Sequence, residues 1–156
     1  MREETGEVGE EKDETPLEVV TKFFDFIDDP YTTSEKGSGG ILGAWTKVCY
    51  LASKAAGWWS NFDGTPKERN HGEMFVLIHS EISEAFEGLR KDKMDEHLPH
   101  RKSVEVELAD AVIRIFDYAA GFGLDLEGAI REKLIYNATR ADHKLENRIK
   151  DGGKKW

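Results

Sequence analysis

Apolar residues recur at three- and four-residue spacing through most of this chain, and no segment shows the alternation of a half-buried strand. That period presents an apolar stripe along a helix and scatters it on a strand, so it selects helices. Leu17, Val20, Phe23, Phe24 and Ile27 form a first stripe behind Pro16, with Thr15 placed to cap it and Pro30 to end it. A second helix is predicted from about 41 to 56, where Gly57 breaks it. A third, capped by Asn70, spans about 71–91 with a core stripe of Phe75, Ile78, Ile82, Ala85/Phe86 and Leu89. A fourth, capped by Ser103, runs to about Gly121 with Val104, Leu108, Ala111/Val112, Ile115, Ala119 and Phe122 inward. A fifth spans about 125–149, with Leu126, Ile130, Leu134, Ala138, Ala141, Leu145 and Ile149 on one face. The predicted class is all-α, a helical bundle.

The 156 residues suit one domain. Residues 1–15 contain almost nothing to bury and are predicted to be a disordered acidic tail. Residues 16–40 hold the first helix and a connection rich in glycine (Gly37, Gly39, Gly40), residues 41–153 form the helical domain, and 154–156 are a short basic end. The net charge is −9, and residues 1–16 contribute −5 of it through seven acids and two bases. An acidic chain is poorly suited to coating a nucleic-acid polymer or an anionic membrane. No apolar run approaches the ~20 residues that span a bilayer, and the acidic N-terminus is unlike a secretory or transit signal. The single cysteine, Cys49, excludes an internal disulfide framework, which fits a cytoplasmic protein. Its apolar neighbours favour a small buried hydrophobe over a reactive thiol.

Two helices carry acids in a pattern that surface charge does not require. Glu81 and Glu84 stand three apart and flank the core position Ile82, and Glu107 and Asp110 do the same around Leu108. At ~100° per residue each pair projects from one face of its helix. An antiparallel hairpin of these helices makes the four carboxylates converge. They repel one another and are costly to desolvate, and a divalent cation relieves both effects. Hard oxygen ligands suit Mg²⁺, or Mn²⁺. Solvated faces of amphipathic helices account for the same spacing, because i, i+3 pairs of acids are common in so acidic a chain.

On the fifth helix Lys133, Asn137, Arg140 and Lys144 fall at i, i+4, i+7 and i+11, one face suited to a polyphosphate. A basic stripe balancing Glu132 and Asp142 has the same pattern. The loop at 57–66 offers Trp58, Trp59 and Asn61 for stacking and hydrogen bonding to a base, or for packing under the loop. Glu68 and His71 form a lone Glu-x-x-His, whereas a di-iron bundle needs two.

Taken together, Glu81-x-x-Glu84, 22 intervening residues, Glu107-x-x-Asp110 and then Lys133-x-x-x-Asn137-x-x-Arg140 resemble the MazG-like family of all-α nucleoside triphosphate pyrophosphohydrolases. The wording Leu77-Ile-His-Ser-Glu-Ile-Ser-Glu-Ala85 and Val106-Glu-Leu-Ala-Asp-Ala-Val-Ile-Arg114 is similar too. The resemblance covers roughly 57–153 and is nearest to small single-domain members, including phage-type ones. Ser80 departs from the fuller signature, standing where its first glutamate falls, so the number of metals stays open.

This resemblance implies Mg²⁺-dependent hydrolysis of (d)NTPs between the α and β phosphates, giving a nucleoside monophosphate and pyrophosphate. Glu84, Glu107 and Asp110 are implied metal ligands, with Glu81 a ligand or the base that positions water. Lys133 and Arg140 stabilise phosphate charge, Asn137 bonds sugar or phosphate, and Lys154, with Lys155, closes from the tail. It also implies a homodimer or homotetramer whose pairing completes a four-helix core. Two other functions share these residues: a non-catalytic, nucleotide-sensing or interaction protein, and a hydrolase of another phosphoanhydride, such as phosphoribosyl-ATP or an alarmone.

Overall fold

A computed structural model of the protein describes Thr15, Glu18, Lys22, residues 41–152 and Lys154. The rest of the acidic tail, the stripe at 17–27, the glycines before Ile41, and Lys155 lie outside the described residues. At Thr15 the expected cap is present. Its hydroxyl accepts from the Glu18 N–H at 3.3 Å, and its own N–H donates to the Glu18 carboxylate at 2.8 Å, a reciprocal capping box.

Five helices follow: α1 (Ile41–Ala55), α2 (His71–Arg90), α3 (Ser103–Gly121), α4 (Leu126–Thr139) and α5 (Leu145–Arg148), with a 3₁₀ turn at Ala141–His143 before α5. The described residues contain no strand, only isolated bridges at Ser60–Pro66 and Met94–Lys102 that close two loops. The protein is an all-α bundle. α2 and α3 form its central hairpin, and α1 lies against α3. No helix among the described residues is long and apolar enough to cross a membrane.

Local chemistry sets the ends of these helices. Asn70 caps α2 by accepting the Glu73 N–H at 3.0 Å. Gly57 and Gly123, at φ of 84° and 66°, take the left-handed turns that follow α1 and α3. Ser103 was expected to cap α3, but Lys102 precedes the helix and its N–H is taken by Glu105 at 3.2 Å. Ser103 instead packs on Gly88 of α2: a Cβ on Gly88 would lie 2.5 Å from the Ser103 hydroxyl. The two helices therefore approach closely at this point. Asp95 folds the connection between the helices by accepting the N–H groups of His97 (2.9 Å) and Leu98 (2.6 Å).

Two expectations are corrected. The fifth predicted helix is not continuous to 149, because it breaks at Arg140, whose ψ of 126° is extended. Arg140 forks onto Asp142 at 2.9 and 2.6 Å, and Asn147 donates to the Ala141 carbonyl at 2.8 Å. These local bonds win because no residue of α4 is buried to hold a longer helix in place.

The predicted core stripes are also only half inside. Ile78, Ala85, Ala111 and Ala119 are buried together with Val48, Cys49 and Met74. Phe75, Ile82, Phe86, Leu89, Leu108 and Val112 are exposed, Phe86 by 66%. Each helix of the hairpin is apolar over a wider arc than one chain covers. Met74, Ile78 and three alanines (Ala85, Ala111, Ala119) face inward, while Phe75, Phe86, Leu89 and Leu108 face out.

Candidate metal centre

α2 and α3 run side by side, so acids set against their buried seam are brought together. One carboxylate oxygen from each of Glu81, Glu84 and Glu107 lies within 4.8 Å of the others, a spacing that small side-chain adjustments bring onto one ion. Glu81 is buried, Glu107 half-buried and Glu84 exposed, so the group opens to solvent on one side. Asp110 is not among these three, but it stands one turn beyond Glu107 and feels the charge of Glu81.

The electrostatics record this crowding. Burial raises the Glu107 carboxyl above the ordinary carboxylate range, and the charges of Glu84, Glu81 and Asp110 push it further the same way. Asp110 is raised first by burial and then by Glu81, with Arg114 acting against both. Hard, like-charged oxygens held together in this way fit a hard divalent cation such as Mg²⁺ or Mn²⁺. Arg114 supplies the positive charge within the chain itself. Its Nε donates to Glu81 Oε1 at 2.7 Å. Ser80, in contrast, turns its hydroxyl back to the Leu77 carbonyl of its own helix at 2.8 Å.

Beside the cluster lies a cavity of about 670 Å³ between α1, α2, α3 and the loop after α1. Asp110 and Arg114 line it toward the cluster. Trp45, Val48, Leu77 and Ile113 make much of its wall apolar. Cys49 also faces it, with its thiol pushed up to about 11 by burial and by the charge of Asp117. The cysteine is thus a buried apolar group, as expected.

The loop aromatics divide between two roles. Trp58 is 64% exposed and lines the cavity, with its carbonyl held by Arg69 Nη1 at 2.7 Å. Trp59 turns inward: its Nε1 donates to Asp117 Oδ1 at 2.8 Å, and its ring meets Tyr50 and Phe122 edge-on. Asn61 ties its own loop by donating to Thr65 Oγ1 (2.9 Å) and the Pro66 carbonyl (3.3 Å).

The basic residues of the predicted fifth helix are not brought to the cluster. α4 packs chiefly on α1 and the 3₁₀ turn. Lys133 and Arg140 flank the Tyr136 ring at 4.8 and 5.6 Å, and Lys144 follows the break. Asn137 sits on α4, one turn after Lys133, and the Lys154 carbonyl accepts from Arg148 at 3.3 Å. None of these side chains bonds a carboxylate of the cluster. Two residues of the site went unassigned in the sequence, Arg114 and Asp117. The signal for them was positional, because they continue the Glu107–Asp110 face by one and two turns.

Neither a family model, a curated protein nor a solved structure matches the chain.

Proposed function

We propose that the protein is a Mg²⁺-dependent nucleoside triphosphate pyrophosphohydrolase, which cleaves (d)NTPs between the α and β phosphates to a monophosphate and pyrophosphate. The observation that carries this reading is the convergence of Glu81, Glu84 and Glu107 beside a largely apolar cavity that Asp110 and Arg114 join to them. The resemblance of these two acidic pairs to the MazG-like signature points the same way. Glu81, Glu84, Glu107 and Asp110 would hold the cation, and Mn²⁺ serves the same oxygen ligands. When bound, it supplies neutralisation of the phosphate chain and polarisation of the reacting phosphate.

The chain's own groups do the rest. Trp58 and the apolar wall of the cavity receive the base, and the half-buried carboxylates orient a water for in-line attack. Glu81, which stands as a ligand or as the base that positions water, would take the proton from it. The reading includes a homodimer, supported by the apolar arc of Phe75, Ile82, Phe86 and Leu108 on the central hairpin. It assigns Lys133, Asn137 and Arg140 to the phosphates of a nucleotide held at the hairpin of a second copy.

Incubation with Mg²⁺ and a panel of canonical and modified NTPs and dNTPs, with pyrophosphate resolved from orthophosphate, tests the reading. Pyrophosphate and monophosphate are expected in equal amounts. Orthophosphate as the first product refutes the assigned bond. Tight binding without turnover supports a nucleotide-sensing protein instead.

A further inference from the structure

We propose that Arg114 is an exchangeable counter-ion. It holds Glu81 in the metal-free protein and turns to the phosphate chain of a nucleotide when a divalent cation occupies the acidic cluster. This rests on the metal-centre reading above, and it gives that site a cation from its own chain.

The pair is unequal. The Glu81 side chain is 9% exposed, while that of Arg114 is 43% exposed. The acid is therefore fixed and the guanidinium has room to move. Among the described residues Arg114 bonds through Nε, at 2.7 Å, one of its five N–H donors. The same side chain lines the cavity beside the cluster, where Asp110 and Asp117 also feel its charge. Of the other cations lining that cavity, Arg69 is committed to the Trp58 carbonyl and the Trp59 ring, and Lys67 comes from the loop that precedes α2.

Charge then dictates the exchange. A divalent cation on Glu81, Glu84 and Glu107 competes with Arg114 for the same carboxylate and repels the guanidinium. The nearest place for that positive charge is the cavity, and a phosphate offers it the forked acceptor that guanidinium prefers. Metal and arginine therefore oppose each other at Glu81, yet both act on the nucleotide.

The test is calorimetric titration of wild type, Arg114→Gln and Arg114→Lys with Mn²⁺ alone, and with an α,β-methylene triphosphate in the presence of Mn²⁺. Arg114→Gln is expected to bind Mn²⁺ about tenfold more tightly and the analogue at least about tenfold more weakly, one charged hydrogen bond in each case. Arg114→Lys should keep Mn²⁺ affinity near wild type and lose part of the analogue affinity. A variant that merely loosens the hairpin weakens both ligands, and that result overturns the inference, as does no change in either.

A second arm reads Arg114 without metal. In EDTA, Glu81→Gln frees the guanidinium and should tighten the analogue severalfold, and the Glu81→Gln/Arg114→Gln double variant should lose that gain. Failure of wild type to bind Mn²⁺ refutes the metal centre. A gain in the EDTA arm that survives in the double variant refutes the role of Arg114.

Discussion

The indole Nε1 of Trp59 donates to Asp117 Oδ1 at 2.8 Å, which ties the loop after α1 to the C-terminal part of α3. Ser53 of α1 donates to the other oxygen, Oδ2, at 3.1 Å. One buried carboxylate thus binds two elements to a third. Burial raises its pKa, and these two hydrogen bonds pull the other way. Replacing Asp117 with Ala leaves the Trp59 N–H and the Ser53 hydroxyl without their acceptor. The expected loss is about 1–3 kcal/mol in urea unfolding, with a change in tryptophan fluorescence. Asp117→Asn keeps one acceptor and should lose less. Equal stability of wild type and Asp117→Ala would show that the tie is not needed.

Gly88 marks a close contact of the hairpin. A methyl group there meets the Ser103 hydroxyl at 2.5 Å and the Val104 nitrogen at 3.3 Å. The hydroxyl can rotate away but the backbone cannot, so α2 and α3 must separate slightly. Gly88→Ala is expected to cost about 1–3 kcal/mol by this overpacking, despite the better helix propensity of alanine. Ser103→Ala in the same chain removes the closest atom and should restore part of the loss. A stabilised Gly88→Ala protein would contradict the spacing.

The outward stripe of α2 and α3 gives a prediction about mass. Phe75, Ile82, Phe86, Leu89, Leu108 and Val112 are all exposed, more large apolar surface than a monomer usually leaves in water. Sedimentation velocity should give at least twice the 17.7 kDa of one chain at micromolar concentration. Phe86→Glu should shift the species toward one chain while leaving Glu81, Glu84 and Glu107 intact. A wild-type protein that sediments as a single chain would remove the dimer from the functional reading.

The placement of α4 makes complementation informative. Glu84→Gln removes a carboxylate of the cluster and is expected to lower turnover by at least about a hundredfold with the helical signal unchanged. Lys133→Ala should act mainly on nucleotide binding. Neither residue touches the other within a chain, so a heterodimer of the two variants contains one site with both groups intact. At a substrate concentration too low to occupy Lys133→Ala sites, co-refolding equal amounts should recover about a quarter of wild-type turnover per chain. No recovery would place Lys133 with the Glu84 of its own chain, and full activity of Lys133→Ala by itself would place it outside the site.

The raised carboxyls predict how stability follows pH. Glu107, Asp110 and Asp117 bind protons more readily folded than unfolded. The native state therefore holds more protons between the ordinary carboxylate value of about 4 and their raised values. Their contribution to stability falls as pH rises through that window and is restored as pH falls. In EDTA the melting temperature should rise as these three carboxyls take up protons on acidification, until the carboxyls of ordinary or lowered pKa are protonated in turn. Mg²⁺ should raise the melting temperature most at neutral pH, where the cluster is fully charged. A metal effect that grows on acidification would count against these carboxylates as its ligands.

The apolar period, the break at Gly57 and the Asn70 cap were legible in the sequence because each depends on neighbours within a few residues. So were the two acidic pairs, since i, i+3 spacing puts both side chains on one helix face whatever surrounds them. Three other features depended on the tertiary structure. Which half of each apolar arc lies inside depends on how the helices meet, and this packing covers Ile78 and Ala85 and leaves Phe86 out. The pairing of Arg114 with Glu81 joins residues 33 positions apart. No local pattern encodes it, because it exists only once α2 and α3 lie side by side. The fate of the basic stripe turned on burial: with nothing of α4 packed inside, Arg140 and Asp142 could end a helix that periodicity alone would have continued. The sequence by itself determined which faces carry charge and which carry carbon, and the packing of those faces decided which charges meet.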